Sequence, residues 1–309
     1  MSEVVVQAES LAFVFGRRKV LHDISLSVSG GEIYGLVGAD GAGKSTVLGL
    51  AAGQLTPHSG TLDVLGKPFS DPQLRGDMAY MPQNFGLYAD LTVMENMQFF
   101  ADLHGLSDQT AGRRISDLLE RTGLQGFEDR RSGNLSGGMT QKLALASVLV
   151  HEPKVMFLDE PTTGVDPVSR RAFWRLLESI RSEGVAILFA TANMDEAERC
   201  DRIGMLENGK LTREGPPLEL IKQKKAILAA VYGHGVRQYR DQIRKLPSVE
   251  LAFPKGIKLM VWLHERTSLD AFKQDLKRVS QALRIEPAIP TLHDATLRDL
   301  ALAQRHNID

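Results

Sequence analysis

Two short segments carry residue types at spacings that could handle a polyphosphate. The first, Gly38-Ala39-Asp40-Gly41-Ala42-Gly43-Lys44-Ser45-Thr46, has the form G-x-x-x-x-G-K-[ST]. Its glycines let successive backbone N–H groups turn inward and cradle phosphate oxygens. Lys44 supplies a cation for β- and γ-phosphates, and the Ser45 hydroxyl a ligand for Mg²⁺. The second segment is the apolar run Val155-Met156-Phe157-Leu158, which ends in Asp159-Glu160. An apolar strand of this kind delivers a carboxylate to the exposed edge of a sheet, where Asp159 can hold the Mg²⁺ shell. Glu160, one residue on, can polarise an attacking water as general base. Together they point to binding and hydrolysis of a nucleoside triphosphate.

These groups need elements that bring them together. Glu32 to Val37 is an apolar run that stops at the glycine-rich loop, and a helix beginning at about Lys44 would carry Val47, Leu48, Leu50 and Ala51 inward. Strand, loop and helix in that order are the context a phosphate loop requires, and the helix directs its positive dipole end at the same anions. Upstream, Val4 to Val6, Leu11 to Phe15 and Ile24 to Val28 read as short strands. From Thr92 to Val150 the pattern is helical, with one apolar stripe through Val93, Met94, Met97, Phe99, Phe100 and Leu103 and another through Ile115, Leu118 and Leu119. Strands return at Val155 to Leu158 and Ala186 to Phe189, with helices at Pro167 to Ser182 and Met194 to Cys200. The fold class is α/β, interrupted by a helical subdomain at about 86–153.

Gly215-Pro216-Pro217 marks a domain edge, dividing 1–218 from 219–309. Beyond it Ala226 to Tyr232 and Ile257 to Leu263 read as strands, and Tyr239 to Leu246 and Leu269 to Leu283 as helices, so a small α+β domain is expected. The basic run Lys222, Lys224, Lys225 reads as a solvated linker face.

Composition narrows the function classes. The 309 residues are 43% hydrophobic and 24% charged, as in ordinary globular domains. A formal net charge of -1 gives no overall electrostatic case for nucleic acid or an acidic membrane surface. One cysteine, Cys200, excludes an internal disulfide framework. No run approaches the roughly eighteen apolar residues of a membrane span. The N-terminus lacks a basic region and a cleavage signal, which argues against secretion and for a cytoplasmic protein. The eight histidines show no metal-ligand spacing.

A third segment, Leu135-Ser136-Gly137-Gly138-Met139, is the most diagnostic. Alone it would be a helix cap. With the phosphate loop and Asp159-Glu160 it makes the chain resemble the ATP-binding subunit of an ABC transporter from roughly Val4 to Gly215. The resemblance implies a P-loop ABC ATPase core with an antiparallel β portion and a helical subdomain. It implies ATP and Mg²⁺ as ligands, and a head-to-tail dimer with a second ATPase domain, either a copy or a paralogue. In such a dimer Ser136, Gly137 and Gly138 cap the γ-phosphate held by the partner. A transmembrane permease would be driven by this pair, which would sit on the cytoplasmic face of the membrane; no nucleic acid is expected as a partner.

The same resemblance carries further positions. Gln83, in Met81-Pro82-Gln83, matches the glutamine loop that touches Mg²⁺ and relays motion to the membrane subunit. Gly164-Val165-Asp166 matches the loop that crosses the dimer interface. Phe15 stands where an aromatic stacks on adenine, with Phe13 as the fallback. Met139 stands where glutamine is usual, which leaves the phosphate-facing atoms intact. Met194-Asp195-Glu196-Ala197-Glu198 and the tail Pro290-Thr291-Leu292-His293-Asp294 are similar to export systems of the multidrug or polysaccharide type.

One position departs from the pattern. The family's switch loop reads Thr-His before this Met-Asp-Glu run, and the chain has Thr191-Ala192-Asn193. The imidazole would donate to the γ-phosphate and orient Glu160 and water, which alanine cannot do. Asn193 lies one residue late and should point the other way from a strand-like loop. The expectation is slow hydrolysis at the chain's own site. A non-hydrolysing, regulatory subunit in an asymmetric pair is the rival reading, favoured by Ala192 and opposed by Glu160. A soluble ABC ATPase acting on nucleic acid is a third. It is opposed by the near-neutral charge and by the absence of tandem cassettes or a coiled-coil insertion.

Overall fold

The computed structural model describes residues 3–84, 86–222 and 225–306; Lys224 of the basic run lies outside them. The chain divides into two compact units, Met1–Pro216 and Pro217–Asp309. The first runs through β1 (Val4–Phe15), β2 (Arg18–Ser29), β3 (Ile33–Val37), α1 (Lys44–Ala51), β4 (Ser59–Val64), β5 (Lys67–Pro68) and β6 (Met78–Met81). It continues with α2 (Val93–Leu103), α3 (Asp108–Thr122), α4 (Gly137–Leu149), β7 (Val155–Asp159) and α5 (Pro167–Ser182). β8 (Ala186–Thr191), α6 (Met194–Ala197), β9 (Arg202–Glu207) and β10 (Lys210–Gly215) complete it.

Two sheets organise this unit. The antiparallel sheet has the order β2-β1-β4-β5, and the larger one the order β10-β9-β3-β8-β7-β6. In the larger sheet β9, β3, β8, β7 and β6 are mutually parallel and only β10 runs against its neighbour. The central strands β3, β7 and β8 are buried along their whole length, so their sequences are unbroken apolar runs without alternation. In register, Val37 pairs with Thr191, Asp159 with Ala190 and Met81 with Leu158. The carboxyl ends of β3, β8, β7 and β6 therefore lie side by side, which is where open α/β sheets bind ligands.

Several elements differ from the sequence expectation. β1 is one strand rather than two, because Ser10 adopts φ 50 and shifts the register between Ala8 and Leu11. Such a bulge breaks the alternation while pairing continues on either side. β2 reaches back to Arg18 through a second positive-φ residue, Asp23 at φ 61. α6 is a single turn ending at Ala197, short of the expected Cys200. Arg199 and Cys200 donate to the Glu196 and Ala197 carbonyls in tighter turns, and Asp201 then donates to Ile33 O at 2.9 Å, which starts β9.

The second unit comprises α7 (Pro217–Lys222), β11 (Leu228–Tyr232), α8 (Arg240–Ile243), β12 (Val249–Lys255), β13 (Lys258–Leu263), α9 (Leu269–Val279), β14 (Arg284–Ala288) and α10 (Leu292–His306). Its antiparallel sheet has the order β12-β13-β11-β14. Alternate residues build two cores, as the pleat requires. Ala229, Val231, Leu259 and Val261 pack with Ile243, Phe272 and Leu276 of α8 and α9. Leu228, Ala230, Met260 and Trp262 form the other face.

The tail segment Pro290 to Asp294 starts α10 on that second face. Thr291 and Asp294 cap the helix reciprocally: Asp294 N–H donates to Thr291 Oγ1 at 3.2 Å, and Thr291 N–H to Asp294 Oδ2 at 3.1 Å. Lys255 Nζ donates to both carboxylate oxygens at 2.8 and 3.0 Å, and Trp262 Nε1 donates to the Asp294 carbonyl at 3.1 Å. Arg298, one turn on, stacks over Trp262 and pairs with Glu250. Burial raises the Asp294 pKa, but Lys255 and Thr291 outweigh it and leave the carboxyl below its usual value. The stability this provides is complete above the ordinary aspartate range, about pH 4, and is lost as pH falls through the lowered folded value. Asp294→Ala should cost the second unit about 2–4 kcal/mol, read from urea unfolding followed by Trp262 fluorescence in a Trp174→Phe background. A loss below about 0.5 kcal/mol would mean the capping and the ion pair do not hold α10.

Candidate active site

The loop between β3 and α1 is pinned at both ends. Gly38 N–H donates to Thr191 O at 3.2 Å, and Gly209 N–H donates to Ala42 O at 3.1 Å. Gly43 sits at φ 110 as the helix N-cap, and a Cβ there would stand 2.7 Å from Leu21 Cδ2. Both the left-handed backbone and the close approach of β2 therefore require glycine. No side chain caps α1, so its first N–H groups remain directed outward beside exposed Gly41 and Ser45. Asp40 is 93% exposed at the rim, Ala42 is buried under the loop and Thr46 is half-buried.

Lys44 is only 4% exposed, and its ammonium is held by the Gly38 and Ala39 carbonyls at 2.9 and 3.1 Å. It pairs with Glu160 Oε1 at 3.0 Å, with Asp40 more distant at 3.9 Å. A buried amine held against its own loop is a compact point charge on a flexible stem, suited to polyphosphate.

Asp159 ends β7 beside this loop. Its Oδ1 is buried without a hydrogen-bond partner. Burial raises its pKa; the neighbouring Ser45 hydroxyl opposes this, Glu160 adds to it and Lys44 opposes it. An unpartnered carboxylate oxygen beside a serine hydroxyl is a hard oxygen donor set, fitting a divalent cation such as Mg²⁺.

Glu160 takes φ 48, an uncommon conformation for a residue with a side chain, and its N–H donates to Ala190 O at 3.0 Å. The kink turns its carboxylate back over the loop towards Lys44. Its Oε2 accepts from Thr163 Oγ1 at 3.2 Å. The structure thus brings Lys44, Ser45, Asp159 and Glu160 together.

Ala192 follows Thr191 at the end of β8 and is exposed beside both Gly38 and Glu160, whose N–H groups bond to Thr191 and Ala190. Asn193 turns away: its side chain accepts from Asp195 N–H at 2.9 Å as the cap of α6. Sequence reasoning gave no role to Glu196 and Thr163. Glu196 is buried, and its carboxylate accepts from Thr191 Oγ1 at 2.6 Å and from Thr162 Oγ1, with Arg170 Nε at 3.4 Å. An acid in a helix's first turn reads as a surface charge, so nothing in the sequence marked it as the tie between β8 and the segment after Glu160.

The remaining predicted residues stand apart from this group. Gln83 is exposed two residues beyond the end of β6. Phe15 is 73% exposed at the end of β1, whereas Phe13 is buried in the core, so Phe15 alone of the two presents a free ring face. Ser136 caps α4, accepting from Met139 N–H at 3.4 Å, with its own hydroxyl hydrogen left to donate. Ser136 and Gly137 are exposed. Gly138 is buried where a Cβ would meet Ser169 Oγ at 2.5 Å. Among the described residues no helix is long and apolar enough to cross a membrane.

The ABC transporter family model matches residues 21–163. The probable multidrug ABC transporter ATP-binding protein YbhF of Escherichia coli K12 is 40% identical over 251 residues, 80% of this chain and 43% of that protein. The chain thus spans less than half of that relative's length. The Nod factor export ATP-binding protein I of Burkholderia orbicola is 34% identical over 307 residues, covering 98% of this chain and 97% of that one. A solved structure of an ATP-binding subunit of an ABC transporter superposes with a TM-score of 0.65 at 30% identity, over 71% of this chain and 92% of its own. A full-length relative, a matching cassette structure and a phosphate loop set against Asp159 and Glu160 agree: this chain belongs to the ABC transporter family, as an ATP-binding subunit.

Proposed function

We propose that this ATPase powers an export-type permease, working as a head-to-tail pair with a second ATPase domain and hydrolysing ATP slowly at its own site. The observation that carries the reading is the convergence of Lys44, Ser45, Asp159 and Glu160 on one sheet edge, with Ala192 beside them. The loop N–H groups and Lys44 would neutralise the β- and γ-phosphates, and Glu160 would take the proton of the attacking water. Ser45 and Asp159 would hold Mg²⁺, with Gln83 reaching in from β6; the ion would offset negative charge on the phosphates. Phe15 would stack on adenine.

The nucleotide face is open, with Asp40, Gly41 and Ser45 exposed, so a second surface is needed to exclude water. The outward-facing Ser136 and Gly137 of a partner supply a hydroxyl and bare N–H groups at a helix start, suited to capping a γ-phosphate. Export is supported by the names of the relatives above and by the Pro290 to Asp294 tail. Exposed Tyr88, Phe99 and Leu103, before and along one face of α2, offer an apolar contact for a permease on the cytoplasmic side of the membrane. A non-hydrolysing role beside a faster paralogue is the second reading, favoured by Ala192.

Purification of the tagged full chain from detergent-extracted membranes tests the assembly. A multi-span protein in stoichiometric amount is expected, together with either one ATPase chain or two. Recovery without any membrane-spanning partner, or with nucleic acid instead, would sink the proposal.

A further inference from the structure

We propose that Thr163 is a positioning residue for the base Glu160 and that, with alanine at 192, it bears that task alone. The inference rests on the reading of Glu160 as base and of Ala192 as a missing contact. Glu160-Pro161-Thr162-Thr163 is a closed turn, in which Thr163 N–H donates to Glu160 O at 3.1 Å. Proline at its second position suits such a turn. The turn sets the Thr163 hydroxyl against the carboxylate, donating to Oε2 at 3.2 Å.

The threonine is itself held from two sides. Its carbonyl accepts from Gln141 Nε2 of α4 at 3.2 Å, and Gln141 is buried. The preceding residue, Thr162, is tied through its hydroxyl to buried Glu196. The hydroxyl thus projects from an anchored backbone, although the side chain is exposed. A glutamate's last torsion is broad and roughly two-fold, so the plane of its carboxylate is set by partners rather than by rotamer preference. Glu160 has two partners here, Lys44 on Oε1 and Thr163 on Oε2. When Lys44 turns to the phosphates, Oε1 is released to face water, and Thr163 is what keeps the carboxylate from rotating. An imidazole at 192 would share this work.

Turnover of the full chain with MgATP tests the assignment. Thr163→Val keeps the branched shape and removes the hydroxyl, so kcat should fall roughly tenfold or more, with KM for ATP and Tm unmoved. Thr163→Ser should restore kcat to within about threefold of the parent. In an Ala192→His chain the valine should cost less than about threefold, because two groups then orient the base. The proposal is overturned if valine leaves kcat unchanged, if serine fails to restore it, or if the valine cost is the same size beside histidine. Should Ala192→His alone leave kcat unchanged, the slow-site reading fails, while the valine and serine comparison in the parent still decides the role of Thr163.

Discussion

Glu160→Gln is expected to lower ATP turnover by about 10²–10⁴-fold while ATP remains bound. The Glu160 side chain is 14% exposed, set by a positive-φ kink at the end of β7 and aimed at Lys44. Glutamine preserves the shape and can still accept from Thr163, but it cannot take a proton from water. It also removes a negative charge beside the triphosphate, so affinity for ATP should hold or rise. Equilibrium nucleotide binding and single-turnover hydrolysis, measured on the same preparation, separate the two effects. A glutamine variant with parental turnover would show that Glu160 is not the base, and would move the balance to the non-hydrolysing reading.

The phosphate loop, Asp159-Glu160 and the Ser136 cap were legible because each is a local pattern whose chemistry depends on near neighbours in the chain. The buried parallel strands were legible for a related reason: unbroken apolar runs such as Val155 to Leu158 leave little else for the chain to do. What escaped is non-local or irregular. The bulges at Ser10 and Asp23 hid the length of β1 and β2. The β9–β10 hairpin turns on Asn208-Gly209 at φ 48 and 72, a strong local turn signal, but the pairing of β9 with β3 is not local. In the second unit, β14 is an edge strand with Pro287 and little burial, so its pattern is weak. Glu196 and Thr163 escaped because their importance lies in partners on other segments. The Pro290 to Asp294 tail was recognised by similarity, and the structure supplies its physical content, a cap locked to Lys255 and Trp262.

Ala192→His is the second change with a large expected effect, and in the opposite direction. Ala192 is exposed at the end of β8, where Thr191 O receives Gly38 N–H and Ala190 O receives Glu160 N–H. A side chain at 192 therefore starts exposed between the phosphate loop and Glu160. The turn beneath it is already built: Glu196 holds Thr191, and Asn193 caps α6. An imidazole there could donate to the γ-phosphate and brace Glu160. A preorganised donor of this kind is worth about 10²–10³ in rate. ATP affinity should change little, because the phosphate loop and Lys44 are untouched. The most direct test is the MgATP turnover of the Ala192→His full chain beside the parent, at saturating ATP. A rise of about 100-fold is predicted. Equal turnover would contradict the account and leave Ala192 as a harmless difference.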